Sequence, residues 1–146
     1  MTDQMITVAI AILYRQNSFL MQLRDNIPGI VYPGCWGFFG GHIELGETPE
    51  VAVRRELEEE ISYVAEELLP FGCYEDLGVI RHVFHGPLSV SLPELVLQEG
   101  WDLGLLEPVA IRAGRHYSVQ AGEERPLTGI HQRILLDFIN AEKLCI

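Results

Sequence analysis

The chain has 146 residues and carries 21 acidic against 10 basic side chains, which gives a formal net charge of −11. Its length suits one domain over residues 1–146, and 48% hydrophobic with 21% charged residues excludes a disordered acidic tail. The acidic balance and the lack of lysine or arginine clusters argue against nucleic acid or an anionic membrane as the partner. No apolar run approaches the roughly 20 residues of a membrane-spanning helix.

In chain order, the first predicted elements are a hairpin and a shaped loop. Residues 6–13 and 19–23 are rich in strand formers and flank a polar stretch, which predicts two paired strands. The segment 25–41 combines two prolines and five glycines with apolar and aromatic residues. This composition predicts a loop that ends in a short strand around residues 36–39.

A helix is predicted after this loop. Thr48 is a suitable N-cap and Pro49 a suitable first helical residue, and Pro70 is the next helix breaker. The predicted apolar stripe of the helix, at helical spacing, consists of Val53, Leu57, Ile61 and Val64.

The second half of the chain contains further predicted strands and a helix. Residues 79–85 predict a strand, and the segment 89–106 predicts two more short strands around a turn at Glu99-Gly100. From residue 128 to 141, apolar residues at helical spacing predict an amphipathic helix that packs on the sheet. The whole pattern is typical of an α/β fold without repeats or a linker.

Three widely separated cysteines indicate a reducing compartment. Cys35, Cys73 and Cys145 show neither a Cys-x-x-Cys spacing nor a histidine at zinc-binding spacing. The early apolar stretch is short and follows Asp3 rather than basic residues, which does not fit a signal peptide. We therefore expect a cytoplasmic protein with free thiols.

Most of the negative charge lies between positions 44 and 67, where nine glutamates accompany only two arginines. At 100° per residue, Glu56, Glu59 and Glu60 share one side of the predicted helix, and Glu58 points to solvent. Like charges four residues apart destabilise a helix by a few tenths of a kcal/mol. A positive group must therefore compensate them, unless the segment is simply a solvated helix face.

The loop before the helix favours a metal ion as that positive group. Gly40 and Gly41 permit close backbone approach and leave carbonyl groups free to join the carboxylates. Oxygen ligands of this kind suit Mg²⁺ or Mn²⁺ bound together with substrate phosphates.

In this loop and helix the chain resembles the Nudix hydrolase family, whose signature is G-x5-E-x7-R-E-U-x-E-E-x-G-U with U aliphatic. The matching residues are Gly41, Glu47, Arg55, Glu56, Leu57, Glu59 and Glu60. Ser62 replaces the second glycine and Tyr63 the final aliphatic residue, so the helix either continues to about Leu68 or ends with a different cap. The resemblance implies a Nudix-type α/β/α sandwich with a mixed central sheet, the signature loop and helix, and a C-terminal helix.

The resemblance also implies roles for individual residues. The implied metal ligands are Glu56, Glu59, Glu60, the backbone carbonyl of Gly40, and Glu99 from a downstream acidic loop. Arg55 is implied to orient Glu59 and to pair with Glu47. Glu56 is the first choice of general base and Glu99 the second, with Asp102 as a near rival.

The family hydrolyses nucleoside diphosphates linked to another group, by attack of metal-activated water on phosphorus, so a small nucleotide and Mg²⁺ or Mn²⁺ are implied. A MutT-like nucleoside triphosphate pyrophosphohydrolase is the first choice. The alternatives are a nucleotide-sugar hydrolase of the GDP-mannose type, an ADP-ribose hydrolase, and a catalytically silent nucleotide-binding regulator. Arg24, Trp36, Phe38 and Asp102 are the candidate substrate contacts, although aromatic residues in such a loop are more often core. A homodimer is ordinary for the family.

Overall fold

The computed structural model of the chain describes residues 5–142. The strands of this part are β1 (Ile6–Arg15), β2 (Ser18–Leu23), β3 (Trp36–Gly37), β4 (Phe39–His42), β5 (Leu69–Asp76), β6 (Val79–Pro87), β7 (Asp102–Leu106), β8 (Arg115–Ser118) and β9 (Glu123–Pro126). Its helices are α1 (Pro49–Ile61), α2 (Pro108–Ala113) and α3 (Gly129–Glu142), with one 3₁₀ turn at Leu92–Glu94. The predicted class, α/β with a mixed central sheet and a C-terminal helix, is confirmed.

The described chain separates into two compact units, each built from two stretches of sequence. The first unit holds residues 5–13 and 39–98. In it β1 pairs with β4 and β6, and β6 pairs with β5. The second unit holds residues 14–38 and 99–142. There β2 pairs with the end of β1, with β3 and with β7, and β8 pairs with β9.

Helix α1 begins as predicted and ends at an unusual residue. Thr48 is the N-cap, its side chain accepts a hydrogen bond from the Val51 N–H at 3.2 Å, and Pro49 is the first helical residue. The helix ends at Ile61 because Ser62 adopts a left-handed conformation, with φ 54° and ψ 39°. Continuation toward Leu68 is therefore the wrong alternative. The buried side chains of the helix are Ala52, Val53, Leu57 and Ile61, whereas Val64, which lies beyond the helix end, is 69% exposed.

Pro70, the next helix breaker in the sequence, lies beyond the end of α1. It lies in β5, which pairs antiparallel with β6 and shifts register between Pro70 and Gly72. Proline lacks the N–H that a central strand donates, but it is tolerated at an irregular strand that has a neighbour on one side only. Strand β5 was not predicted from the sequence, because composition alone does not distinguish such a strand from a turn.

The second unit contains elements that the sequence did not indicate. The segment 89–106 forms one strand, β7, instead of two, and α2 and the β8–β9 hairpin were not predicted. The predicted hairpin at the start and the C-terminal helix α3 are both present. In α3, Phe138 stacks on Tyr14 at 5.7 Å between ring centroids and meets the edge of Phe19 at 6.2 Å.

The thiol groups agree with the expectation of free cysteines as far as the structure describes them. Cys35 and Cys73 are free, and Cys145 lies outside the described residues. Among residues 5–142, no helix is long and apolar enough to cross a membrane.

The apolar face of α1 leads to a stability prediction. Leu57 is fully buried, so Leu57→Ala should lower the free energy of unfolding by about 2–5 kcal/mol, measured by urea denaturation. Val51→Ala on the exposed side of the same helix is the matched control and should change it by less than about 0.5 kcal/mol. Similar losses for the two variants would contradict this assignment of the buried face.

Candidate active site

Two glycines bring the backbone of β4 close to its neighbours in the first unit. Gly40 has a φ of 141°, and a Cβ at this position would overlap the backbone of Ala9 and Ile10. A Cβ on Gly41 would stand 2.7 Å from the carboxyl carbon of Glu56. Glycine at these positions therefore allows the Glu56 carboxylate to lie directly against the loop backbone.

Arg55 lies at the centre of the carboxylates. Its Nε and Nη2 atoms donate to the two carboxylate oxygens of Glu47 at 2.7 and 3.0 Å. Its Nη1 atom donates to Glu56 at 2.9 Å and to Glu59 at 3.1 Å, and Nη2 also donates to the carbonyl of His42 at 3.1 Å. The predicted contacts of Arg55 with Glu47 and Glu59 are both present. Part of the positive charge that the carboxylates require thus comes from the protein itself.

The contact between Arg55 and Glu47 also shifts the pKa values of both residues. The hydrogen bond to Glu47 is the main cause that raises the pKa of Arg55, with a further contribution from Glu56. The hydrogen bond from Arg55 is the main cause that lowers the pKa of Glu47. Both side chains therefore stay ionised in the folded protein over the physiological pH range.

Glu60 is held from a different direction. One of its carboxylate oxygens accepts a hydrogen bond from the Gly40 N–H at 2.9 Å. Its backbone carbonyl accepts one from the Gln98 N–H at 2.9 Å. Glu58, by contrast, is exposed, in agreement with its predicted place on the helix. Glu56 and Glu60 thus lie at the loop that precedes α1, and Glu59 is linked to it through Arg55.

The donor set fits a hard divalent cation. Three carboxylates and the carbonyl of Gly40 supply oxygen atoms alone, which is the ligand chemistry of Mg²⁺ and Mn²⁺, and Gly41 leaves the Glu56 carboxylate room at the loop. Within residues 5–142, no three metal-ligating side chains converge on one point. Arg55 bonds one carboxylate oxygen of Glu56 and one of Glu59, so a cation at these residues would share their carboxylates with its guanidinium.

Glu99 and Asp102 belong to the second unit. Glu99 is exposed and precedes Gly100, which has a φ of 118°. The Asp102 carboxylate accepts hydrogen bonds from the Leu103 N–H at 2.8 Å and from the Ser118 hydroxyl at 2.7 Å. Asp102 therefore fastens the start of β7 to β8. The roles of these two acids toward metal, water or substrate stay predictions.

The two aromatic residues predicted to contact substrate are buried in the second unit. Trp36 is 1% exposed, and its indole N–H donates to the carbonyl of His116 at 3.0 Å. Phe38 is 4% exposed and packs on the ring of His131 at 4.9 Å between centroids. Burial of this degree fits the core alternative raised for these residues, and stacking on a base stays a prediction.

Two arginines fasten the loop before β3. Arg24 donates from Nε to the carbonyl of Val31 at 2.6 Å, and Arg125 donates from Nε to the carbonyl of Gly34 at 2.9 Å. These bonds give the loop a defined shape. Arg24 thus has a structural contact, and its predicted contact with substrate is untested.

One buried cation was missed in the sequence. Arg81 on β6 is 5% exposed, and its Nη1 atom has no hydrogen-bond partner among the described residues. A buried guanidinium nitrogen without a hydrogen-bond partner is unfavourable, so Arg81 is a candidate contact for an anionic or carbonyl group of a ligand. The available signal was strand alternation, which places Arg81 on the same face as the buried Val83.

The fold and the site define an α/β protein with a glycine-rich loop and an acidic helix suited to hold a divalent cation. A family model described as the NUDIX domain matches residues 3–102. The chain belongs to the NUDIX domain family.

Individual relatives match shorter segments. A segment of 66 residues is 41% identical to the 8-oxo-dGTP diphosphatase of Haemophilus influenzae, over 44% of this chain and 47% of that protein. A segment of 63 residues is 36% identical to the ADP-ribose pyrophosphatase of Methanocaldococcus jannaschii, over 43% of this chain and 36% of that protein. The chain thus spans less than half the length of these relatives. The structure of the MutT protein from Methanosarcina mazei is similar in fold, with a TM-score of 0.73 at 18% identity over 98% of this chain and 99% of that chain.

The lowered pKa of Glu47 predicts an acid-dependent loss of stability. The folded state binds the Glu47 proton less tightly than the unfolded chain does. The stabilisation is therefore present above the ordinary glutamate pKa of about 4.3 and disappears as the pH falls through the lowered value. We expect Glu47→Gln to lower the Tm at neutral pH and to flatten its decline below about pH 5.

A neighbouring ion pair provides the control for this experiment. Glu50 pairs with Arg54 at 3.2 Å on the exposed side of the same helix, where an ion pair contributes little. The Tm of Glu50→Gln should follow the wild-type pH profile. Superimposable profiles for Glu47→Gln and wild type would contradict the stabilising role of the Arg55–Glu47 pair.

Proposed function

We propose that the protein is a Mg²⁺- or Mn²⁺-dependent hydrolase that cleaves the phosphoric anhydride linkage of a nucleoside diphosphate derivative. The observation that carries this proposal is the arrangement at the start of α1. There Arg55 meets Glu56 and Glu59, while Glu60 reaches the backbone of Gly40. Membership of the NUDIX domain family supports the same chemistry.

Each residue of the arrangement has a proposed task. The cation would be held by Glu56, Glu59, Glu60 and the Gly40 carbonyl, and when bound it neutralises phosphate charge and lowers the pKa of coordinated water. Arg55 orients the carboxylates of Glu56 and Glu59, and Glu47 anchors the opposite edge of the guanidinium. This support restricts the carboxylates to a narrow range of positions.

Glu56 is the proposed general base. Its side chain is 17% exposed, compared with 58% for Glu59, and it lies against the backbone at Gly41. Glu56 takes a proton from the attacking water as its oxygen forms a bond to phosphorus. The electron pair of the broken P–O bond leaves with the departing phosphate. Glu99 is the alternative base and an additional proposed ligand.

A nucleoside triphosphate is the first candidate substrate. The relative that is 41% identical over 66 residues is named 8-oxo-dGTP diphosphatase, and the one at 36% is named ADP-ribose pyrophosphatase, which makes ADP-ribose the second candidate. Arg81 is proposed as a further ligand contact because its buried Nη1 atom lacks a described partner. We also propose that the protein is cytoplasmic and forms a homodimer.

The function is tested by hydrolysis assays over dNTPs, oxidised dNTPs, CTP, ADP-ribose, NADH and sugar nucleotides. We expect Mg²⁺-dependent release of a phosphate-containing product from at least one of them. Loss of one metal-binding carboxylate removes several kcal/mol of transition-state stabilisation, so Glu59→Gln and Glu60→Gln should each lower kcat by roughly 10²–10³-fold.

Glu58→Gln is the matched control, because Glu58 lies on the same helix with its side chain exposed. Its kcat should stay within about twofold of wild type. The wild-type protein could bind nucleotide and yet hydrolyse no substrate faster than the variants do. That result would favour a catalytically silent nucleotide-binding regulator instead.

Metal binding also predicts a change in stability. A cation that binds only the folded carboxylates at about ten times its Kd stabilises by about 1.4 kcal/mol, which corresponds to a Tm increase of about 3–6 °C for a chain of this size. We expect this increase with Mg²⁺ or Mn²⁺ in wild type and in Glu58→Gln, and its loss in Glu60→Gln. An unchanged wild-type Tm with both ions would count against the site.

A further inference from the structure

A cysteine and a histidine face each other across the hairpin that β5 and β6 form in the first unit. Cys73 on β5 and His82 on β6 are register partners, and partners in an antiparallel pair project their side chains from the same face of the sheet. The Cys73 Sγ atom lies 3.2 Å from the Nδ1 atom of His82. Neither residue belongs to the carboxylate site, so the proposed hydrolysis does not use this pair.

The short distance allows a proton to pass between the two side chains. A thiol becomes a strong nucleophile when it loses its proton, and a base within hydrogen-bond reach activates it. When the imidazole of His82 carries its own proton on Nε2, its Nδ1 atom accepts a hydrogen bond from the Cys73 thiol. His82 is thus placed to take the proton as Sγ attacks.

The Cys73 thiol also lies where a small molecule can reach it. Cys73 is exposed, and its strand β5 is the last in the sheet order, with β6 as its neighbour on one side. Glu75, two positions along β5 on the same face, is exposed as well, and the chain carries a net charge of −11. A small reagent without negative charge therefore approaches Sγ with the least repulsion.

The thiol of Cys35, in the second unit, has a different environment. Cys35 is half-buried, and its Sγ atom donates to the carbonyl of Pro33 at 3.6 Å. Burial is the main cause that raises the pKa of the Cys35 thiol. A backbone carbonyl does not take up a thiol proton, so Cys35 lacks the base that Cys73 has.

We propose that Cys73 is a site of reversible thiol–disulfide exchange with low-molecular-weight disulfides, and that His82 is its base. His82 takes the thiol proton as Sγ attacks one sulfur of the disulfide, and a new S–S bond forms while the old one breaks. The electron pair of the broken bond leaves on the other sulfur, which takes up the proton and departs as a thiol. The Cys73 sulfur is oxidised and the departing sulfur is reduced, and excess thiol reverses the exchange.

The site is tested by following each thiol by itself. In the full chain with Cys35→Ser and Cys145→Ser, only Cys73 can react, whereas Cys73→Ser with Cys145→Ser leaves only Cys35. The probe is 4,4′-dithiodipyridine, an uncharged disulfide whose thiopyridone product is measured by its absorbance. At neutral pH we expect Cys73 to react roughly tenfold faster than Cys35, and excess dithiothreitol to remove the adduct from the intact mass.

The role of His82 is tested in the chain that retains only Cys73. His82→Asn and His82→Gln each replace the base by an amide that takes no proton, so each should lower the rate constant about tenfold. In concentrated urea the contact with Sγ is lost, so these variants and their parent should react at equal rates there. The folded parent should also react faster than the same protein in urea, a comparison that needs no substitution of His82.

A second histidine of β6 provides the matched control. His85 lies three positions beyond His82 in the same strand and therefore on the opposite face. His85→Asn should leave the rate constant of Cys73 within about twofold of its parent.

The possible failures are distinguishable. Rates of the folded protein that are unchanged by both His82 variants, or equally lowered by His85→Asn, would overturn the role of His82 as the base. Equal rates for Cys73 and Cys35, or a folded parent that reacts no faster than in urea, would overturn Cys73 as the preferred site. No hydrolysis is measured, so these outcomes are independent of the proposed function.

Discussion

Repulsion between carboxylates is the constraint on which the loop and helix of the first unit depend. Nine glutamates lie between positions 44 and 67, and the folded chain relieves part of their repulsion mainly through the guanidinium of Arg55, while Arg54 pairs with Glu50. Arginine suits this task because its planar group presents five donors, which here reach three glutamates and one backbone carbonyl. The adjacent Arg54 differs in that it also donates to the carbonyl of Ala65 beyond the helix end. Exchange of either arginine for lysine would keep the charge and lose this geometry.

The position of Arg55 among the glutamates also affects how a cation can bind to them. Contacts with Glu47 and Glu56 raise the pKa of Arg55, so its guanidinium stays protonated and cannot yield its place by losing charge. Arg55 donates to one carboxylate oxygen of Glu56 and to one of Glu59, so a cation bound there would share these carboxylates with the guanidinium. The bidentate bond to Glu47 lies on the other edge of the guanidinium. Glu47 would therefore keep Arg55 near the site with a cation bound.

The parts of the structure that follow from local chemistry were predictable from sequence. Thr48 and Pro49 fixed the start of α1, and the spacing of Glu47, Arg55 and Glu59 indicated contacts that the structure contains. The sequence left two alternatives for the end of the helix, and the contact of Ser62 with Gln98 joins residues that are distant in the chain. Strand β5 and the burial of Arg81 were missed for the same reason, since both depend on pairing and packing between distant segments. From the sequence, Trp36 and Phe38 could belong either to the core or to a substrate-binding surface. Their burial in the structure, which depends on distant residues, favours the core.

Pro70 also affects how β5 can interact with a strand of another molecule. Strand β5 is the last strand in its sheet order, and such an edge offers unpaired backbone groups to any other strand that approaches. Pro70 has no N–H to offer, and the register shift between Pro70 and Gly72 interrupts the regular ladder. Glu75 and Asp76 add negative charge at the far end of the same strand. An edge strand with a proline, a register shift and two acidic residues is a poor template for strand addition by a second molecule.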